Sequence, residues 1–299
     1  MNTQYIGRYA PSPTGPLHFG SLVAAVASYC DAKHHQGKWL LRIEDIDKPR
    51  EANGATAIIL QQLEAFGFEW DGEIIYQSQR ERYYAQAFNQ LKDQQLLYPC
   101  TCTRKEIADS SNQFGIEGFI YSQTCLYQPL KPNTAPAFRI KTNSQAISFD
   151  DAIQGHIQQV LSKDCGDFVL KRADGLFTYQ LAVVVDDAAQ GVTHIVRGAD
   201  LLNSTPRQIY LQQCLNLPTP RYAHIPIACN QAGEKLSKQT LAKSIDAKLA
   251  SQQLFAALQF LGQNPPAEIQ YIHLQEIWQW ALTHWKIQSI QSQHSAFYI

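Results

Sequence analysis

The chain has 299 residues, of which 45% are apolar, and its 25 basic and 26 acidic side chains give a net charge of −1. That length predicts about two domains, with enough apolar residues to bury a sizeable core. The balanced charge argues against a generally basic nucleic-acid-binding protein, so any RNA contact must come from local basic patches.

The same sequence argues against export and membrane insertion. No basic segment followed by an apolar run stands at the N-terminus, and no apolar stretch approaches the ~18 residues of a membrane span. Seven cysteines, an odd number, favour a reducing cytoplasm with thiols or a metal site over a disulfide framework. We therefore expect a cytoplasmic protein without membrane contact.

The first elements in chain order predict a βαβ unit. A strand over 4–9, a Pro/Gly-rich loop over 11–16, a helix over 21–34 and a strand over 39–43 follow one another. This order favours an α/β fold with a parallel sheet and right-handed crossovers. The later predicted elements are helices over 55–66, 80–96, 206–215, 248–261 and 274–285, and strands over 168–172, 179–185 and 194–197. Thr205 is the expected N-cap of the helix that starts at the next residue.

Residues 98–144 differ in character from the rest of the chain. They are rich in Cys, Gly, Pro, Ser and Thr and show little periodicity. We expect an insertion that is stabilised by something other than a large core.

Two smaller features each allow two interpretations. Asp186 and Asp187 follow a predicted strand, and they either contact substrate or magnesium or simply end the strand facing solvent. Trp278, Trp280 and Trp285 could form a base-stacking platform, but their helical spacing favours core packing.

A first motif stands on the strand-to-helix turn of the βαβ unit: RYAPSPTGPLHFGS, residues 8–21. A helix N-terminus presents unpaired N–H groups and the positive end of the helix dipole, which suits phosphate. Gly15 and Gly20 remove side chains where a nucleotide approaches the backbone, and His18 can donate hydrogen bonds to phosphoryl oxygens. The alternative is a proline-rich turn with a surface histidine, which the length of the motif disfavours.

A second motif, KLSKQ, occupies residues 235–239 after Gly233. Its two lysines can close over a triphosphate and neutralise charge that builds at the α-phosphate. Alone, the pattern is more typical of a solvated loop, and the first motif is what favours a nucleotide site.

These motifs carry a resemblance. The run over 5–50, including LRIEDIDKPR at 41–50, and VRGADLLNSTPRQ at 196–208 resemble class I glutamyl-tRNA synthetases. With DGLFTYQLAVVVDD at 174–187 and LQFLG at 258–262, nearly the whole chain is most similar to the short paralogous family, the glutamyl-queuosine tRNA(Asp) synthetases.

The resemblance implies a domain organisation. It comprises a Rossmann-like catalytic domain with a parallel sheet over 1–97 and 145–238, a zinc-binding insertion over 98–144, and a small helical subdomain over 239–299. Sixty-one residues follow Lys238. We therefore expect no anticodon-binding domain.

The resemblance also implies site residues. Lys238 and His18 would be catalytic. Arginine forks suit an amino acid with two carboxylates, and Glu44 would accept the α-ammonium. The glutamate-binding set is Arg8, Tyr9, Ala10, Pro11, Ser12, Glu44, Tyr179 and Arg197. The ATP-binding set is His18, Gly20, Ser21, Lys235 and Lys238. The alternative for Glu44 and Arg197 is a structural ion pair at a strand end.

A cysteine pattern in the insertion is typical of zinc. Cys100, Cys102 and Cys125 can supply three thiolates to a tetrahedral ion. The family pattern places a tyrosine four residues before the last cysteine, which makes Tyr121 the candidate fourth ligand. The alternative is three unconnected thiols.

The resemblance implies activation of L-glutamate by ATP with Mg²⁺, without needing tRNA. The glutamyl group would then pass to the queuosine base at the wobble position of tRNA(Asp), through a monomeric enzyme. The closest alternative is a catalytic core that charges a tRNA 3′ end. A non-catalytic RNA-binding paralogue and a small-molecule nucleotidyltransferase are two further alternatives.

Overall fold

The computed structural model describes residues 4–116, 118–230, 233–236 and 243–297. The helices are α1 (Phe19–His34), α2 (Ala55–Ala65), α3 (Glu81–Asp93), α4 (Arg104–Ser110), α5 (Thr124–Tyr127), α6 (Leu161–Asp164), α7 (Tyr179–Ala189), α8 (Thr205–Leu215), α9 (Ala250–Phe260) and α10 (Leu274–His284). The strands are β1 (Ile6–Tyr9), β2 (Lys38–Ile43), β3 (Ile75–Tyr76), β4 (Leu97–Cys100), β5 (Phe114–Gly115), β6 (Gly118–Phe119), β7 (Ala137–Ile140), β8 (Ala146–Asp151), β9 (Gly155–Val160), β10 (Phe168–Lys171), β11 (His194–Gly198), β12 (Arg221–Ile225), β13 (Ile227–Cys229) and β14 (Ser295–Phe297).

Parallel strands form the centre of the fold. β1 pairs with β2 and β2 with β3, while β11 pairs with β12, all in parallel. Thr193, just before β11, joins the two groups, because its N–H donates to the Ile6 carbonyl and its Oγ1 accepts from the Ile6 N–H, both at 2.9 Å. β1 therefore lies between β2 and β11. The strands that follow β1 first in the chain lie on one side of it, and the later strands β11 and β12 lie on the other side. In open α/β sheets such a switch point forms a crevice at the carboxyl ends of the strands.

The βαβ prediction is confirmed, since β1, α1 and β2 follow in that order. α1 is buried along most of its length, and it packs against the sheet on one side and against α9 and α10 on the other. The Trp278 indole donates to the Phe66 carbonyl at 2.8 Å, and the Trp285 indole donates to Asp31 Oδ1 at 3.0 Å. Both tryptophans are buried, as core packing predicts, and Trp280 is half-buried against the same core.

The region predicted to be an insertion contains strands of two small antiparallel sheets. β7 pairs with both β4 and β10, and β5 pairs with β6 in a short hairpin. β10 lies outside the predicted limits 98–144, yet it shares a sheet with strands from the insertion. The limits of the three predicted domains stay a prediction.

The predicted strand at 179–185 is wrong, because these residues form the first two turns of α7. A short apolar run has the same pattern in a buried strand and in a buried helix. Asp186 and Asp187 are consequently buried inside a helix, not at a strand end in solvent. The expected N-cap at Thr205 is also wrong: Ser204 holds the cap position and Thr205 is the first helical residue.

No helix in the described part of the chain combines the length and the apolar character needed to cross a bilayer.

Candidate active site

A cavity of about 910 Å³ opens at the carboxyl ends of β1 and β11. It is lined by every sequence-predicted glutamate and ATP residue in the described part of the chain: Arg8, Tyr9, Ala10, Pro11, Ser12, His18, Gly20, Ser21, Glu44, Tyr179, Arg197 and Lys235. Lys238 lies outside the described residues. The two distant motifs therefore meet in one crevice.

The first motif ends at the N-terminus of α1. His18 is the N-cap residue, and its Nδ1 accepts a hydrogen bond from the Ser21 N–H at 3.3 Å. A Cβ at Gly20 would lie 3.2 Å from His18 Cε1 and 3.6 Å from the Leu236 carbonyl oxygen. Glycine at this position thus lets the histidine ring lie close to the start of the helix, while the second motif is in ordinary contact distance of the same residue.

Gln62, on α2, joins the regions around the two motifs. Its Oε1 accepts from the Leu17 N–H at 2.8 Å, and its Nε2 donates to Ser244 Oγ at 2.8 Å and to the Ile245 carbonyl at 3.2 Å. The Ile245 N–H donates directly to the Leu17 carbonyl at 2.9 Å. Lys235, on the second motif, forms a 2.5 Å ion pair with Asp200 at the cavity wall. Gln62 carried no signal in the sequence, because its role depends on three segments that meet only in the fold.

One wall of the cavity is a buried charge network. Asp187 Oδ1 lies 3.4 Å from Arg8 Nε and 2.8 Å from Arg42 Nη2. The same Arg42 nitrogen lies 3.3 Å from Glu44 Oε1. Glu44 therefore pairs with Arg42 at the end of β2, not with Arg197, while it also faces the cavity.

The two carboxyl groups of this network differ in acidity. Burial raises the pKa of Glu44, although Arg42 and Arg8 oppose the change. Burial acts in the same direction on Asp187, but the nearby Arg42 and Arg8 outweigh it and lower the pKa of this group. Asp187 thus places a negative charge between the two arginines.

Asp186 connects α7 to the segment before α3. It accepts hydrogen bonds from Gln77 Nε2 at 2.9 Å and the Tyr84 hydroxyl at 2.8 Å, and Arg80 Nε lies 2.5 Å away. Neither Asp186 nor Asp187 was predicted in this role. Because neighbouring residues of a helix point in different directions, Asp186 and Asp187 on α7 can contact different groups.

A second part of the cavity lining is built around Arg197, which is 4% exposed. Its Nε donates to His224 Nε2 at 3.0 Å, its Nη1 to the Tyr179 hydroxyl at 3.3 Å, and its Nη2 to Thr205 Oγ1 at 2.8 Å. His224 Nδ1 in turn lies 2.6 Å from Asp151 Oδ2. The sequence did not point to His224 or Asp151, since a lone histidine in an apolar run carries no such signal.

His224 must be neutral for this arrangement to hold. Its Nε2 faces a donor on Arg197, so its proton sits on Nδ1 and points at Asp151. Burial and the positive charge of Arg197 lower the pKa of His224 to about 4, against the opposite effect of Asp151. Arg197 is therefore held by neutral acceptors in the described structure.

The predicted metal residues also meet. The sulfur atoms of Cys100, Cys102 and Cys125 all lie within 4.8 Å of one another. The Tyr121 hydroxyl lies 3.5 Å from Cys102 Sγ and accepts the Cys125 N–H at 2.8 Å. Thiolates ~2.3 Å from a tetrahedral zinc ion would be about 3.8 Å apart, so the donor set fits such an ion. Hydrogen bonds from Tyr121 and the backbone of Thr101 lower the pKa of Cys125 to about 7, although burial acts to raise it.

Known proteins resemble this chain over almost its full length. The family described as "tRNA synthetases class I (E and Q), catalytic domain" matches residues 5–295. The glutamyl-Q tRNA(Asp) synthetase of Dechloromonas aromatica is 53% identical over 98% of both chains. That of Neisseria meningitidis serogroup B is 51% identical over 96% of this chain and 97% of its own. The solved glutamate-tRNA synthetase of Elizabethkingia anophelis has the same fold, with a TM-score of 0.81 at 23% identity, over 99% of this chain and 68% of that one.

Proposed function

The chain belongs to the class I tRNA synthetases for glutamate and glutamine, and from this premise we propose that it glutamylates queuosine in tRNA(Asp). It is a ligase of the aminoacyl-tRNA synthetase type that forms glutamyl-adenylate from L-glutamate and ATP without needing tRNA. It then transfers the glutamyl group to the queuosine base at the wobble position. The observation that carries the proposal is the cavity, which joins two buried arginines and the Glu44 side chain, 8% exposed, to a helix N-terminus suited to phosphate.

The buried side chains that line the cavity bind glutamate in this proposal. Arg8 and Arg197 supply guanidinium groups for the two substrate carboxylates, and Glu44 faces the α-ammonium group. The Tyr179 hydroxyl accepts from Arg197 and so presents its own proton toward the cavity. Tyr9 to Ser12 complete the lining between these groups.

ATP lies against the start of α1. The N–H groups there, with Gly20 and Ser21, suit the phosphates, and His18 and Lys238 stabilise charge on the α-phosphate as glutamate attacks. Lys235 contributes a second cation from the same motif. Mg²⁺ accompanies ATP as part of the substrate.

Both chemical steps use substrate nucleophiles. A carboxylate oxygen of glutamate attacks the α-phosphorus, and the bond to pyrophosphate breaks. A hydroxyl of the queuosine base then attacks the acyl carbon, and AMP leaves as that hydroxyl gives up its proton. The protein's contribution is to position the reactants and to stabilise developing charge.

We also propose that Cys100, Cys102, Cys125 and Tyr121 hold a structural Zn²⁺. Such an ion would tie β4 to α5 in a region where few apolar residues are buried. The protein is proposed to act as a cytoplasmic monomer, with the catalytic, insertion and helical domains limited as predicted.

The acceptor can be tested directly. Purified protein is incubated with labelled glutamate, ATP and tRNA(Asp) that carries either queuosine or guanosine at the wobble position. We expect label only in the queuosine tRNA, and ATP–pyrophosphate exchange with glutamate in the absence of any tRNA.

Each other outcome points to a different function. Labelling of both tRNAs would indicate a core that charges the 3′ end. Absence of both labelling and exchange would indicate a non-catalytic RNA-binding protein.

A further inference from the structure

A second cavity, of about 350 Å³, lies beside the cysteine cluster and is separate from the active-site cavity. Arg104, Arg139 and Arg207 line it, and Asp167 is the acidic residue among its described lining. The Asp167 carboxylate already accepts from the Tyr98 hydroxyl at 2.7 Å and from Gln123 Nε2 at 2.9 Å. The described lining therefore has an excess of positive charge.

Two of these arginines are available to an anion. Arg104 is exposed at the start of α4 and makes no ion pair with any described residue. Arg139 stacks over the Tyr121 ring at 4.2 Å and donates one hydrogen bond to the Asp167 backbone carbonyl at 2.7 Å. Its Nε is buried and has no hydrogen-bond partner among the described residues. A buried donor in this state is costly unless a ligand or water meets it.

One exposed aromatic ring lines this cavity, and a second packs against it. Phe119 lines it and is 49% exposed, while Phe114, on the paired strand of the β5–β6 hairpin, is 74% exposed. Their rings meet edge to face with centroids 5.2 Å apart. Large aromatic side chains left in water at adjacent positions are typical of a binding surface.

Aromatic rings beside arginines recognise unpaired nucleotides. A base stacks on the ring, while the guanidinium groups meet its phosphate. We propose that this cavity is a subsite for an unpaired nucleotide of the tRNA, with its base on Phe119 and its phosphate between Arg104 and Arg139. The inference rests on the proposed function, because it takes tRNA as the substrate. The volume suits one nucleotide, being near the lower end of known ligand sites.

The subsite lies close enough to the active site to hold the same loop. Leu201 lines the active-site cavity, and Arg207 lines the second one. The 3₁₀ turn Ala199–Ser204 and the first turn of α8 join them. At the rise of helical backbone, six residues span roughly 9–12 Å. The bound nucleotide is therefore a near neighbour of the reacting base.

The test compares two variants with two matched controls. Phe119→Ala removes the stacking ring, and Tyr127→Ala removes another exposed aromatic ring of the insertion, 81% exposed, which does not line the cavity. Arg104→Ala removes the phosphate contact, and Lys105→Ala removes the adjacent exposed cation of α4. Affinity of the 299-residue protein for queuosine tRNA(Asp) is measured across a salt series, together with ATP–pyrophosphate exchange.

We expect Phe119→Ala to weaken tRNA binding by roughly ten-fold. Arg104→Ala should weaken it by a few-fold and lower the slope of log affinity against log salt by about one. Both controls should bind like the wild type, and exchange without tRNA should be unchanged in all four variants. Equal tRNA affinity and salt slope in the wild type, Phe119→Ala and Arg104→Ala would overturn the proposal.

Failure of the proposed function would look different. If the wild type glutamylates no queuosine tRNA, the acceptor assignment fails. The affinity series still tests the subsite, using a hairpin RNA of the anticodon arm. Loss of binding in Phe119→Ala and Arg104→Ala would support it, and unchanged binding would overturn it.

Discussion

The two arginines of the active-site cavity are held in opposite ways. Arg8 lies against the buried carboxylate of Asp187, which compensates its charge inside the protein. Arg197 is fixed by His224, Thr205 and Tyr179, none of which brings a charge at neutral pH. Burial alone therefore does not define a ligand-binding cation. Arg8 shares its charge with a buried carboxylate of the protein, whereas the hydrogen-bond partners of Arg197 are neutral, and in the proposed function both arginines face the substrate.

The largest expected effect on stability comes from removing the buried carboxylate of Asp187. Asp187→Asn would leave Arg8 and Arg42 buried with one carboxylate fewer. Breaking a buried pair in this way costs about 3–5 kcal/mol. We expect urea unfolding to show a loss of that order.

The matched control is Asp174→Asn. Asp174 pairs with Arg172 on the surface, where both side chains are more than 40% exposed, so its loss should change stability by less than about 1 kcal/mol. Similar losses of unfolding free energy in the two variants would mean that the buried Asp187 pair contributes no more to stability than a surface pair.

Arg197→Lys tests the other wall. A lysine has no planar fork, so it cannot contact His224, Thr205 and a substrate carboxylate together. We expect the KM for glutamate in ATP–pyrophosphate exchange to rise about 100-fold, near 2.7 kcal/mol, with little change in the KM for ATP.

Arg172→Lys, at an exposed position, is the control for this exchange assay. An unchanged KM for glutamate in Arg197→Lys would show that the charge of Arg197 is not used by the substrate.

The pH dependence of stability tests the neutral partner of Arg197. Burial holds the pKa of His224 at about 4 in the fold, against about 6.5 for an unfolded histidine. The unfolded chain therefore binds a proton first as the pH falls. This contribution, about 3 kcal/mol, is fully present above pH ~6.5 and is lost as the pH falls toward ~4.

The measurement is urea unfolding between pH 4 and pH 7 for the wild type and His224→Asn. We expect the wild type to lose stability more steeply on acidification, so that the two curves converge at low pH. Parallel curves would mean that His224 is not held neutral by its surroundings.

The smallest effect is expected at the cavity mouth. Lys235 and Asp200 form an ion pair with side chains 47% and 37% exposed, and such pairs contribute little to stability. Asp200→Asn should leave unfolding within about 0.5 kcal/mol of the wild type. It should lower the KM for ATP by about two-fold, because the carboxylate competes with phosphate for Lys235. A raised KM would mean that Asp200 assists ATP binding.

The sequence predicted those parts of the site that local pattern determines. The β1–α1–β2 unit follows from periodicity and the Pro/Gly-rich turn, and the long motif places His18 and Gly20 at the helix start. Every predicted glutamate and ATP residue in the described segments lines one cavity. Their roles in catalysis and binding stay predictions.

The groups that hold the site residues were not predictable. Asp187 was assigned to a strand end because the run before it, residues 179–185, is mostly apolar and has no clear helical period. Only tertiary packing decides between helix and strand in such a run. Asp151, His224 and Gln62 act through partners far away in sequence. No spacing rule brings such residues together before the chain folds.

α1 has its first turn at the cavity, where the proposed function places phosphate, and it also carries the packing surface for α9 and α10. Through Trp285 and Asp31, a tail element is hydrogen-bonded to the same helix whose first turn faces the cavity. A nucleotide that binds at that turn therefore stabilises α1 together with α9 and α10, which pack on it. In thermodynamic terms, ligand occupancy and local unfolding of the C-terminal helices are linked equilibria, and each shifts the other.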